Sequence, residues 1–320
     1  MTLPPIIPLA AIHAARARLR GQVVRTPTLA LTRDDGTTAL HCKLENLQPI
    51  GSFKLRGAGN AMAAAAPEAL AGGVWTASAG NMAQGVAWCA RERGLPCTVV
   101  VPDHAPSAKT DAVERLGGRV VRRPFDAWWQ LLVAHGSPEF PGRFIHPVSD
   151  PDVMAGNATI ALEILADVPD VASIVVPYGG GGLACGIASA IHHLAPHVRV
   201  YAAEVATAAP LAPALAAGHP VPTAYAASFV DGIGGRSVLA EVWPLASSLL
   251  AGSIVVSLDA VADAWRLLLR RAHVVAEGAG AAAVAAALTG QAGAGPTVAV
   301  VSGGNLDASA MVALLQGTTP

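Results

Sequence analysis

A strand-then-helix beat, struck twice along the 320 residues, constrains this chain more than any other feature. Val74 to Ala77 reads as a strand, Ser78 to Asn81 as a turn, and Ala83 to Glu92 as a helix stopped at Gly94. Cys97 to Val101 is again a strand, Ala108 to Leu116 a helix stopped by Gly117-Gly118, and Arg119 to Val121 a third strand. The beat resumes with a helix over Ala155 to Leu165, a strand over Ser173 to Val176, a loop over Gly179 to Gly182 and a helix over Leu183 to Leu194. Strands then fall at Val198 to Ala203 and Thr297 to Val301, with a charged-faced helix over Val261 to Ala272 between them. Alternation of this kind calls for parallel sheets covered by helices on both faces, an α/β fold.

The stretch Phe125 to Pro151, rich in Pro, Gly and His, breaks the beat and reads as the connection between two domains. The expected division is a large domain of residues 1–66 and 148–320 and a small one of residues 67–147. The N-terminal part reads as a helix over Ala10 to Leu19 closed by Gly21, a strand over Ala39 to Leu44, and a helix over Ala58 to Ala66 ended by Pro67.

Composition narrows the function classes. With 52% hydrophobic and 13% charged residues, core material is plentiful. A net charge of −1 gives no footprint for nucleic acid or an anionic membrane surface. Mean hydropathy is positive, +0.46. Yet the alanine-dense run Gly278 to Leu288 falls well short of the ~20 residues a span needs. The N-terminus lacks a basic leader region, and the four cysteines form no Cys-x-x-Cys pair for zinc. The expectation is a soluble cytoplasmic protein.

Four loops carry the chemistry. Lys54 follows a small-residue turn (Gly51, Ser52) and Phe53. A lysine in a compact, partly apolar pocket loses solvation, its pKa falls, and its amine becomes a nucleophile suited to a Schiff base. Taken alone, the stretch favours a solvated loop lysine. Tyr178-Gly179-Gly180-Gly181-Gly182-Leu183 lies between an apolar strand and a helix. Its backbone N–H groups and the helix N-terminus make an anion cradle that needs no Lys or Arg. Ser78-Ala79-Gly80-Asn81 could receive a carboxylate, or simply cap the helix that follows. Ser302-Gly303-Gly304-Asn305 could face a flat ring, or simply end a strand.

Together, from about Thr26 to Asp307 and in this order, the four stretches resemble the fold-type II pyridoxal phosphate (PLP) enzymes, in the serine/threonine dehydratase and serine racemase branch. That resemblance implies two doubly wound open-sheet domains of the tryptophan synthase β kind. It also implies PLP as cofactor, a small amino acid as substrate and a homodimer, with neither nucleic acid nor membrane as partner. Residue by residue, it makes Lys54 the Schiff-base lysine and packs Phe53 beside the cofactor ring. Asn81 would bond the ring hydroxyl, and Ser302 would face the ring nitrogen. Gly179, Gly180, Gly181, Gly182 and Leu183 would bind the phosphate. Ser78, Ala79, Gly80, Asn81 and Met82 would receive the substrate carboxylate.

Departures from the family pattern are informative. Ala79 replaces the serine that racemases use, so racemisation should be poor. Met82 stands where relatives often have His, which hints at a less polar substrate side chain. Glu204 matches one acid of a metal site found in some relatives, but Pro210 stands where the second should be. Glu277 falls where relatives keep a glutamate, and Asp231-Gly232 matches a family loop. Trp128-Trp129 is expected to pack the small domain, and His192-His193 to sit at a helix end. Ser302 lies so near Pro320 that no regulatory domain is expected after it. The implied reaction is dehydration and deamination of a β-hydroxy amino acid such as L-threonine or L-serine. β-Replacement, a lyase for a bulkier substrate, and a non-catalytic binding protein are the alternatives.

Overall fold

The computed structural model describes residue 3, residues 5–32 and residues 38–320. Among these residues ten strands form: β1 (Thr28–Thr32), β2 (Thr38–Leu44), β3 (Val74–Ala77), β4 (Cys97–Pro102), β5 (Arg119–Arg123), β6 (Arg143–Phe144), β7 (Ser173–Pro177), β8 (Arg199–Val205), β9 (Gly252–Val256) and β10 (Thr297–Val301). They assemble into a six-stranded sheet, ordered β1-β2-β10-β7-β8-β9, and a four-stranded sheet, ordered β5-β4-β3-β6. β1 and β2 pair antiparallel, and the other pairings are parallel.

The core follows from the strand period. Ile174 and Val176 of β7 face one buried cluster, and Val175 between them faces the other. On β10, Val298 and Val300 join the first cluster while Ala299 and Val301 join the second. A sheet buried on both faces has no need of polar alternation, so these strands read as continuous apolar runs.

Three strands had no clear signature. β6 is only two residues long, and β1 and β9 lie outside the alternating pattern. The stretch Phe125 to Pro151 is more than a connection: it carries the helix Phe125–Val133 and β6, which pairs with β3 at the edge of the smaller sheet. The helix expected over Val261 to Ala272 spans Leu258–Leu267 and ends in a π-helical turn, Leu268–Ala272.

The helix Lys54–Ala64 matters most for the site. It begins at Lys54 itself, four residues earlier than its alanine-rich composition suggests, so this lysine opens a helix rather than sitting in a loop. It packs against both Pro151–Asp167 beside the larger sheet and Asn81–Glu92 beside the smaller one. A Cβ on Gly156 would come within 2.4 Å of the Arg56 carbonyl oxygen, so only glycine permits this approach. Arg56 is buried and clamped between Glu45 (Nη2 to Oε1, 2.7 Å) and Glu163 (Nη1 to Oε1, 2.7 Å). Lys43 Nζ donates to the same Glu163 at 2.6 Å, and Thr26 Oγ1 donates to Glu45 at 2.6 Å. The four cysteines, Cys42, Cys89, Cys97 and Cys185, are free and buried, and burial pushes each thiol up to about 12. Among the described residues no helix is long and apolar enough to cross a membrane.

Candidate active site

The carboxyl ends of β3, β6, β7 and β10 converge on one cavity of about 260 Å³. That is where open parallel sheets expose free loop backbone, and where their ligands bind. The residues after β3 (Ser78–Met82), after β6 (Pro147, Val148), after β7 (Gly179–Leu183) and after β10 (Ser302) all line it, together with Phe53 and Lys54. Every residue expected at the site is therefore brought to one place, apart from Glu204.

Lys54 is half-buried, and its Nζ donates to the Pro147 carbonyl at 2.7 Å while lying 5.2 Å from the Phe53 ring centre. Loss of solvation lowers its pKa to about 8, and the Glu277 charge offsets only part of that. The free-amine fraction near physiological pH is thus roughly a tenth, far above that of an ordinary lysine, and it is this form that acts as nucleophile or general base. Glu277 itself is buried, and burial raises its carboxyl to about 7 despite the Asn81 hydrogen bonds that favour the ionised form.

Among the described residues, the backbone N–H groups of Gly179, Gly180, Gly181, Gly182 and Leu183 donate no hydrogen bond. Beneath them the Tyr178 hydroxyl is buried without a partner. The glycines are required by crowding as well as by backbone freedom. A Cβ on Gly180 would stand 2.6 Å from the Val148 side chain, and one on Gly182 would stand 2.5 Å from its carbonyl oxygen. Gly181 adopts a left-handed φ of 95° at the start of the helix Gly182–Leu194. A row of five free donors at a helix N-terminus is an anion site.

The turn after β3 is built similarly. Its helix is capped by Gly80 without a side-chain bond, and Ser78 Oγ instead accepts from the Gly80 N–H at 3.2 Å. A mere capping role for Ser78 or Asn81 is thereby ruled out. The N–H groups of Ala79, Asn81 and Met82 make no hydrogen bond among the described residues, while the Met82 side chain packs into the core under the smaller sheet. Asn81 Nδ2 donates to both Glu277 oxygens, at 3.0 and 2.9 Å, and its Oδ1 accepts from Asn305 at 2.8 Å. Ser302 is buried, and its carbonyl accepts the Phe53 N–H at 3.0 Å, tying the last strand to the lysine helix.

Several lining residues were not expected from the sequence. Trp128 and Leu132 reach the cavity from the helix Phe125–Val133, so Trp128 does more than pack the smaller sheet. Asp231 lines it too and pairs with Lys109 of the smaller sheet's helix Ser107–Arg115. His146 supports the turn that carries Pro147 and Val148: its Nδ1 accepts from the N–H groups of Val148 (3.1 Å) and Ser149 (2.8 Å). Burial, with His135 beside it, lowers His146 to about 3 and keeps it neutral. Asp231-Gly232 matches a family loop without a role, whereas only spatial proximity places Trp128, Leu132 and His146 at the site. Glu204 lies apart, its two oxygens accepting the Leu211 and Ala212 N–H groups at 2.7 and 2.9 Å and Ser253 Oγ donating to it at 2.5 Å. That carboxylate caps the helix Leu211–Ala217. His192 and His193 sit exposed in the last turn of Gly182–Leu194.

A lysine amine of lowered pKa, a row of unpaired amides and the small residues of the turns after β3 and β10 fit a phosphorylated aldehyde. The sequence profile described as pyridoxal-phosphate dependent enzyme matches residues 19–303. The chain belongs to that family. It is 41% identical over 308 residues to the L-threonine ammonia-lyase of Geobacter sulfurreducens, covering 94% of this chain and 76% of that one. It is 40% identical over 272 residues to the L-threonine ammonia-lyase of Thermotoga maritima, covering 84% and 67%. Among solved structures, maize serine racemase superposes with a TM-score of 0.88 at 31% identity, covering 97% of each chain.

For a PLP enzyme with this loop, the glycines should differ in tolerance. Gly182→Ala places a Cβ 2.5 Å from backbone, whereas the nearest atom to a Cβ on Gly179 is at 3.4 Å. Overpacking of the first kind costs on the order of 1–3 kcal/mol. Titration of the cofactor's absorption should therefore show Gly182→Ala binding PLP about tenfold or more weakly, with Gly179→Ala close to the parent.

Proposed function

We propose that this chain is a PLP-dependent lyase that dehydrates and deaminates a β-hydroxy amino acid, L-threonine or L-serine, to a 2-oxo acid and ammonia. The observation that carries the reading is the Lys54 amine, lowered to about 8, in one cavity with the unpaired amides of residues 179–183. Lys54 would hold the cofactor through its aldehyde, residues 179–183 its phosphate, and Ser302 its ring nitrogen, with Phe53 beside the ring. PLP, when bound, supplies an electron sink for charge developing at the substrate α-carbon.

The protein's own groups do the rest. The N–H groups of Ala79, Asn81 and Met82 receive the substrate carboxylate and fix which bond faces Lys54. Nζ of Lys54, released by the incoming amine, takes the α-proton and returns a proton to the departing β-hydroxyl. The enamine released then hydrolyses in water to the 2-oxo acid and ammonia. Asn81, gripped by Glu277 and Asn305, is held at the turn. Ala79 presents a methyl group to the cavity and can donate no proton, which supports elimination over racemisation.

Residues 67–147 are the natural moving unit, since they carry the carboxylate turn and could close it over the site. The family resemblance supports a cytoplasmic homodimer acting on a free amino acid. The test is to incubate purified protein with PLP and L-threonine or L-serine, with no second nucleophile. A visible cofactor band and equal yields of 2-oxo acid and ammonia are expected. A band without oxo acid from either substrate would overturn the reaction, and no band at all would overturn the site.

A further inference from the structure

We propose that Trp128 and Leu132 form the subsite for the substrate side chain and select β-hydroxy amino acids with an apolar β-substituent. This rests on the lyase reading and names its substrate class. The two residues are four apart on the helix Phe125–Val133, so they share one face, and both line the cavity. Trp128 is fixed there, its Nε1 donating to the Val100 carbonyl of β4 at 3.0 Å. The end of their helix is tied to the Lys54 side of the cavity. His135 stacks on His146 with ring centres 4.5 Å apart, and the next residue, Pro147, accepts the Lys54 Nζ bond.

A substrate α-carbon must come to Lys54, with its carboxylate at the turn after β3. Two of the other apolar walls are engaged elsewhere, since Val148 lies against Gly180 and Gly182 and Ile233 lies against Gly179, and Met82 packs into the core. The Trp128–Leu132 face offers broad apolar surface, larger than the methyl of Ala79, for the third substituent. Charge points the same way. Among the described residues Lys54 is the single cation lining this cavity, which also holds Asp231 and Glu277. Lys109 and Arg115 belong to the adjoining cavity, and Lys109 is paired with Asp231. Among the described residues a β-carboxylate would find no cation in this cavity other than Lys54.

One methyl group in such a pocket is worth roughly tenfold or more in discrimination. The parent should therefore favour L-threonine over L-serine by about that factor in kcat/KM and reject 3-hydroxyaspartate. By calorimetry the unreactive L-2-aminobutyrate should outbind L-alanine by a similar ratio. Leu132→Ala should bring both ratios toward one. Trp128→Ala should raise turnover of L-phenylserine relative to threonine, a gain that an unfolded variant cannot show. Unchanged ratios in both variants with an intact cofactor band, or turnover of 3-hydroxyaspartate on a par with threonine, overturn the subsite alone. Absence of the band in the parent overturns the lyase reading on which it stands.

Discussion

Lys54→Ala is expected to lose at least about 10³-fold in kcat with saturating PLP, because in the proposed mechanism one residue both anchors the cofactor and moves the α-proton. The loss should come without unfolding. Lys54 opens its helix, is half-buried, and its amine makes one hydrogen bond, to the Pro147 carbonyl. Unfolding midpoint and circular dichroism should stay near the parent's. The cofactor should still bind through the phosphate site proposed at residues 179–183, but its absorption should revert toward that of a free aldehyde. Small primary amines in the buffer should restore part of the rate. A variant that keeps activity within tenfold of the parent would falsify the assignment of Lys54 as the base.

The second large effect is structural. Arg56, two residues beyond Lys54, donates through Nε and Nη2 to Glu45 at 2.8 and 2.7 Å and through Nη1 and Nη2 to Glu163 at 2.7 and 2.9 Å. Removing one member of a buried ion pair strands the other, at about 3–5 kcal/mol. Arg56→Leu should lower stability in urea by that amount at pH 7. Its pH dependence gives the sign. Burial pushes the Glu45 carboxyl up, but the charge and hydrogen bonds of Arg56, with Thr26 and Lys43, prevail and hold it below its ordinary 4.5. A carboxyl lowered on folding stabilises the protein above pH 4.5, and that contribution fades as pH falls from there through the folded-state value. In Arg56→Leu the stranded Glu45 takes up a proton more readily, so the gap between variant and parent should narrow toward pH 4. An equal gap at pH 4 and pH 7 would show that the loss comes from packing and not from charge.

Much of the fold was legible because strand and helix periods are local properties. The runs over β3, β4, β7 and β10, and the glycine stops after the helices that follow β3 and β4, are written in adjacent residues. β6 was not, because two residues carry no period, and their pairing with β3 is decided by the chain packed around them. The lysine helix was placed late, since Ser52, Phe53 and Lys54 show no alanine-rich pattern and helix start is set there by tertiary contact. At the site, Lys54, the four-glycine loop and the turns at Ser78 and Ser302 were legible through motif and resemblance. Trp128, Leu132, Asp231 and the Asn81–Glu277 bond were not, because each joins segments far apart in sequence. A tryptophan in an amphipathic helix looks the same whether its inner face meets core or substrate.

The buried cysteines have a use of their own. Thiols held near 12 are chemically silent in the folded chain, since the thiolate is the reactive form. Cys42 on β2 and Cys185 in Gly182–Leu194 belong to the larger sheet's layers, and Cys89 in Asn81–Glu92 and Cys97 on β4 belong to the smaller's. Each half thus holds two dormant labels that awaken only when that half opens. The order in which a thiol reagent tags them would time, within one unmodified chain, which half lets go first.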